Sequence, residues 1–323
     1  MLLPLLKAPL RLAHEVYVLN GQQIAADKHA PKTDPWSALH SSHDRWTFLI
    51  YGLAITLSLL LALYLKSRNF FQKIGQLIDR ATVIAPDIIR ISLGASLIAA
   101  GHFHSVFGPE LPSNSFAGSA LIGPGCYIVG IGLVLGLGSR LLGALVAAFW
   151  VFTLFDKGWY MLTYANYFGE ALALAIIPRQ KFSLDALLFK AKKTKSSMEP
   201  WAMPVARILF GFSLLYAAVN VKFVTTALSL QVVNQYDLTR YFHFDPLFVV
   251  LGAGLVEILI ASLYMLGLLQ RLNSLMFIGF ITASLLFFKE AVWPHYLLLG
   301  LAVGIFLHKP DKLALDSRLF KRK

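Results

Sequence analysis

Charge is scarce in this chain. Charged residues make up 14% of its 323 positions, against roughly 25% in a soluble domain. With 57% hydrophobic residues, that balance excludes an ordinary soluble globule and points to lipid. Cysteine is scarcer still. Cys126 is alone, so there is no internal disulfide and no C-x-x-C for thiol–disulfide exchange. No glycine-rich stretch joins a strand to a helix, which excludes a dinucleotide fingerprint. No serine sits in a nucleophile elbow. The Leu-rich start has no small-residue cleavage site, and Lys7, Arg11 and Glu15 interrupt it. It reads as an amphipathic helix on a membrane surface, not as a signal peptide.

What is present is a set of long apolar runs, close to the roughly 20 residues that cross a hydrocarbon core. They predict an all-α polytopic membrane protein with about nine transmembrane helices, at 46–65, 88–106, 118–137, 141–156, 159–177, 203–221, 246–268, 272–288 and 293–308. Two stretches repeat each other: IIRISLGASLIAAG (88–101) and VARILFGFSLLYAA (205–218) match through Arg90/Arg207, Gly94/Gly211 and Ser96/Ser213, a shift of 117. Further on, Gly136/Gly267, Arg140/Arg271 and Asp185/Asp316 match at a shift of 131. The 14-residue difference is one longer loop in the second copy. A constant register implies an internal duplication into two four-helix bundles. The resulting division is an N-terminal segment (1–45), a lone helix (46–65), repeat 1 (86–190), a basic linker (191–202) and repeat 2 with a basic tail (203–323). Gly132 and Gly136 form G-x-x-x-G, a pattern that lets helices approach closely.

Alternating nine helices across a membrane puts 20 of the 29 Lys and Arg on one side with six acids. The other side carries nine of each sign. The positive-inside rule makes the first side cytoplasmic, with the N-terminus outside and the C-terminus inside a plasma membrane. The two units then have the same orientation and are parallel repeats about the membrane normal. The net charge of +12 is mostly a topology signal plus attraction to anionic lipid, and no soluble basic domain exists to bind nucleic acid.

These residues also carry a resemblance. An arginine opens the first helix of each unit, followed by a glycine-rich face. Glu257 in a second helix is followed by Gly267 and Arg271 at the next turn. A short SLDALL-like segment closes the unit. The chain resembles two tandem DoxX/DoxD family units behind one extra helix, over roughly 86–190 and 203–320. The resemblance implies a membrane oxidoreductase system, including thiosulfate:quinone oxidoreductase subunits, and with it a quinone and a soluble or membrane redox partner. In repeat 1 the matching glutamate position is Cys126.

Polar groups at membrane depth are the chemical candidates. Glu170 and Glu257 each lie about half-way along a helix, where an unpaired charge costs a few kcal/mol, roughly. Such acids hold and release protons. Glu257 ranks first because it matches the family position. Thr163, Asn166 and Glu170 share one helix face. His102 and His295 lie in outer halves; His102 and His104 stand about 200° apart on a helix and cannot share one metal. No metal set is proposed. Lys222, at an outer helix end, suits an anionic substrate or snorkels. Depth alone places His102, Asn166, Glu170, Glu257 and His295 around one pocket open to the outer face. Three readings follow. The first is an oxidoreductase subunit binding quinone or a small sulfur species. The second is a scaffold anchoring a soluble redox enzyme. The third is a proton-coupled transporter.

Overall fold

The computed structural model describes residues 33–68, 70–116, 118–177, 180–188, 198–242, 244–288 and 293–320. The expected amphipathic start, Arg179, most of the basic linker and His243 lie outside the described residues. The chain is an all-α polytopic membrane protein. A 3-10 turn (Pro35–His40) leads into α1 (Ser42–Ser67) and a short α2 (Gln72–Asp79). The first half then runs α3 (Ala85–His102), α4 (Ser119–Leu135), α5 (Ser139–Lys157), a 3-10 stretch (Gly158–Tyr164), α6 (Ala165–Ile176) and the short α7 (Leu184–Leu188). The second half runs α8 (Glu199–Ala218), a π turn (Val219–Val224), α9 (Thr226–Gln235), α10 (Thr239–Phe242), α11 (Pro246–Leu266), α12 (Gln270–Phe288), α13 (Pro294–Leu307) and α14 (Leu315–Leu319).

Among the described residues, six helical stretches are long and apolar enough to cross a membrane, and α4 and α13 are shorter apolar helices. One of the six, Ser139–Ile176, is a hairpin. It turns back at Gly158, so that Trp150 stacks on Phe168 and Arg140 donates to the Ala175 carbonyl. The extra residues of the second half form the π turn, α9 and α10, where sequence reading expects only a longer loop. α3 ends sooner than the expected 106. The chain turns at His104, which has φ 51, so His104 stands beyond the helix and the expected angular relation to His102 does not arise.

α3 and α4 form an antiparallel hairpin in near backbone contact. A Cβ on Gly94 would stand 2.7 Å from the Gly130 carbonyl oxygen, and one on Gly130 would stand 2.7 Å from that of Gly94. This pair, not Gly132 with Gly136, makes the close approach. Gly136 instead ends α4 in the left-handed region (φ 72), which suits glycine at a helix C-terminus. α8 and α11 form the matching hairpin in the second half.

The halves interlock. α6, the last long helix of the first half, packs against α8, the first of the second half. α13, the last of the second half, packs against α3. The two apolar cores cross over in the same way: Val221 and Leu297 join the first-half core, and Ile89, Ala173 and Ile177 join the second-half core. α3, α6, α8 and α13 are therefore the centre of the molecule, and the expected four-helix sets are not self-contained. α1 has no buried residue and touches the body at few points, among them Lys66 with Asp316 at 2.5 Å.

One end of the bundle is held by charged clamps. Arg90 is fully buried; its Nη1 donates to the carbonyls of Leu133 and Val134, and its Nη2 to Phe182 (2.6 Å) and Asp87 (3.3 Å). Arg207 donates in the same way to Tyr264 and Met265 and pairs with Asp311 at 2.7 and 3.2 Å. Both arginines thus satisfy the last carbonyls of a helix, where the backbone dipole favours a cation. Asp185 accepts from the N–H groups of Gly138 and Ser139 at the start of α5, and Asp316 from Leu269 and Gln270 at the start of α12. Arg140 and Arg271 bond the Ala175 and Phe306 carbonyls near the ends of α6 and α13. Burial pushes the Asp311 carboxyl up, but the hydrogen bonds and charge of Arg207 outweigh it and hold it below the usual carboxylate range.

Candidate functional site

The other end is built differently, and its polar groups reach into the bundle. The described part of the connection from α3 to α4 (103–116) is seated, not loose. Val106, Phe107, Leu111 and Phe116 are buried, and Ser105 bridges to Pro112. Lys157, ending α5, donates to the Ser115 carbonyl at 2.8 Å, lies 4.2 Å over the Phe116 ring and pairs with Asp156.

Glu110 is the polar centre of this seat. The hydroxyls of Tyr160 and Tyr164 both donate to its Oε1. Its Oε2 is buried with no hydrogen-bond partner among the described residues. Gly108 lies directly against the Tyr164 hydroxyl, leaving no room for a Cβ. Burial pushes the Glu110 carboxyl up to about 7, and the two tyrosine hydrogen bonds only partly oppose that rise. At neutral pH the group is poised between acid and anion.

Deeper along the same helical stretch comes Tyr167. Its hydroxyl donates to the Phe107 carbonyl at 3.0 Å and lies 2.5 Å from Ser96 Oγ, which also reaches the Trp293 carbonyl. Ser96 on α3 thus ties α6 to the start of α13. Ser213, its counterpart on α8, donates to the Thr163 carbonyl at 2.6 Å and to Asn166 Oδ1 at 3.2 Å. Each of these serines secures the entry of the last long helix from the other half.

Glu170 follows one turn beyond Tyr167. It is completely buried, and neither carboxyl oxygen has a hydrogen-bond partner among the described residues. The other expected site residues lie in different settings. Asn166 is buried and bonded to Ser213. His295 is fully buried at the start of α13. His102 is exposed at the end of α3, with Nδ1 3.3 Å from the Tyr127 hydroxyl. Lys222 is half-buried in the π turn. Glu257 is half-buried on α11.

α6 and α11, which carry the two acids, both pack on α8. Ala206, Leu209 and Ser213 of α8 face α6, while Gly211 faces α11. α8 therefore packs between α6, which carries Glu170, and α11, which carries Glu257. Glu170 is fully buried, whereas Glu257, ranked first for its match to the family position, is half-buried. Cys126 is buried beside Gly101, where a small residue is required.

Sequence reasoning missed Glu110, Tyr160, Tyr164 and Tyr167, and had Ser96 only as a match to Ser213. The spacing of Tyr160, Tyr164, Tyr167 and Glu170 was a usable signal, since 4, 3 and 3 residues keep to one helix side. Nothing local to Glu110 marks it, because its partners are about 50 residues away. Among the described residues, no group of three or more His, Cys, Asp or Glu could hold a metal. An open crevice of about 510 Å³ lies at the Arg90 end, lined by Val134, Leu135, Lys181, Phe182, Leu184 and Leu187 among others. No family profile, curated protein or solved structure matches this chain. The DoxX/DoxD resemblance therefore rests on its quoted residues. Arg90, Arg207, Gly136, Gly267, Asp185 and Asp316 cap and clamp helix ends, so they speak to architecture and not to activity.

Proposed function

We propose that this protein is an integral membrane subunit of an oxidoreductase system, with Glu170 taking up and releasing protons inside the bilayer. The observation that carries the reading is Glu170 itself, a fully buried carboxyl with both oxygens unpartnered among the described residues. A packing role would be served better by an apolar residue. A group kept at such cost is a functional candidate by default. The redox assignment comes from the DoxX/DoxD resemblance. An unpartnered carboxyl also fits the quinone which that resemblance implies, because it can donate a hydrogen bond to a quinone carbonyl. A bound quinone would supply two-electron, two-proton acceptor chemistry; Glu170 would hold or pass a proton at that carbonyl.

The basic asymmetry supports a multi-pass plasma-membrane orientation with the C-terminus cytoplasmic and the Glu110 end outside. The matching clamps of Arg90 and Arg207 support descent from a duplicated four-helix unit. The basic inner face suits a soluble redox partner. A second reading, a proton-coupled transporter, is favoured by the π turn at Val219–Val224 that interrupts the helix continuing α8 near Lys222. The test is the visible spectrum and solvent-extracted small molecules of the purified protein. Bound quinone or haem supports the redox subunit. A protein that carries neither, from cells rich in both, counts against it and leaves a scaffold or a transporter.

A further inference from the structure

The Arg90 end of the bundle presents one pair of charges twice, and only one of the two pairs is covered. Asp185 and Asp316 each accept from two backbone N–H groups at a helix start. Arg140 and Arg271 each donate from Nε to a carbonyl near the end of a neighbouring helix. In the second half, α1 and α2 then close over both charges. Lys66, ending α1, lies 2.5 Å from Asp316 and 5.1 Å over the Phe320 ring. Arg271 donates from Nη2 to Asp79 at 2.6 Å and from Nη1 to the Gly75 carbonyl at 3.0 Å, both on α2. Asp316 is buried and Arg271 half-buried. In the first half, Asp185 is half-buried and Arg140 exposed. Among the described residues Asp185 has no cation, and Arg140 has only its Nε bond. The open crevice lined by Leu184, Ala186 and Leu187 runs past Asp185 along α7.

We infer that Asp185 and Arg140 are the docking site for a transmembrane helix of a different protein chain, built like α1 and α2. That helix is apolar across the membrane, with a lysine or arginine where it reaches the Arg90 end. An acid follows at about the Lys66-to-Asp79 spacing, 79 − 66 = 13 residues. The cation meets Asp185, the acid meets Arg140, and the crevice takes an apolar side chain. α1 is the precedent: it has no buried residue, and Lys66 fixes it to this end of the body. A second copy of this chain does not meet the need. Each copy brings two such charge pairs and one α1–α2 unit, so any exchange of units leaves half of the pairs open. The docking site is independent of the proton chemistry of Glu170.

The test uses the full chain in its native membranes, with the photoreactive residue p-benzoylphenylalanine in place of Leu141, an exposed side chain beside Arg140. After illumination the adducts are sized, and the linked peptides are sequenced by mass spectrometry. The expected result is an adduct with a different chain, whose linked segment is an apolar helix carrying the cation and the acid at that spacing. Asp185→Asn and Arg140→Gln should each lower its yield at least about 10-fold, since each removes one partner of a charge pair that docking buries. Arg140→Gln serves if Asp185→Asn disturbs the start of α5. Asp185→Lys should abolish the adduct, and an acid in place of the partner's cation should restore it. The same probe at Leu121, exposed at the opposite end of the bundle, should give no such adduct. Adducts with lipid only, within the same chain or with a second copy each overturn the inference. So does a partner segment without those two charges, or a yield unchanged in both Asp185→Asn and Arg140→Gln.

Discussion

Replacing Glu170 by leucine should make this protein more stable. The position is completely buried, and both carboxyl oxygens lack partners among the described residues. Burying an unsatisfied polar group costs about 1–3 kcal/mol. Leucine has a similar volume and no polar atom, so it removes that cost without opening a cavity. The equivalent position 131 residues on is already a leucine, Leu301, and it too is fully buried. The packing of a leucine between these helices is thus realised once in the molecule. A gain of about 1–3 kcal/mol corresponds to roughly 2–6 °C in Tm for a chain of this order of size. Thermal unfolding of purified wild type and Glu170→Leu, in one detergent at one concentration, reads the shift. Stability gained where activity is lost is the signature of a residue kept for function. A Tm lowered by several degrees would refute the reasoning, since it would mean that the carboxyl makes bonds that hold the helices together.

Arg207→Leu strands the buried Asp311 and the Tyr264 carbonyl; the expected loss is about 3–5 kcal/mol, and a double change with Asp311→Leu should recover much of it in the same unfolding assay. Gly94→Ala forces a Cβ to 2.7 Å from the Gly130 carbonyl oxygen and should cost about 1–3 kcal/mol, whereas Gly252→Ala, with nothing within 4 Å, should be near neutral. Glu110 gives a pH effect of defined sign. Its folded pKa of about 7 lies above the ordinary 4.5, so the folded state binds the proton more tightly and the seat of residues 103–116 weakens as pH rises through that interval. Hydrogen exchange of 103–116, corrected for the intrinsic pH dependence, should increase between pH 5 and 8 in the wild type and stay flat in Glu110→Gln.

The helices were legible because lipid imposes long apolar runs, and the boundaries at Ser139–Lys157 and Pro246–Leu266 fall within two residues of those expected. The paired arginines and aspartates were legible as a pattern. Their work as helix clamps was not, since Arg207 meets Asp311 across 104 residues. Gly136 shows the limit of motif reading: spacing makes it half of a packing pair, while its backbone makes it a helix terminator. The crossing of α6 onto α8 and of α13 onto α3 was hidden as well. Periodicity marks an apolar face but not which helix will cover it. Glu170 could be named from depth alone, whereas the placing of α8 between α6 and α11 needed the packing.

The account turns on Glu170 as the working acid. The most direct measurement is donor-to-quinone electron transfer in membranes that contain Glu170→Gln at the wild-type protein level. Glutamine keeps the shape and hydrogen bonding of the side chain and removes only its titration. Cys126→Ala, which changes one small packing residue, and Glu257→Gln are assayed beside it. The account expects Glu170→Gln to abolish the activity and Cys126→Ala to preserve it; loss in Glu257→Gln as well would give the second acid a part in the same cycle. Full activity in Glu170→Gln would contradict the account and leave Glu170 a buried residue without a proton to carry.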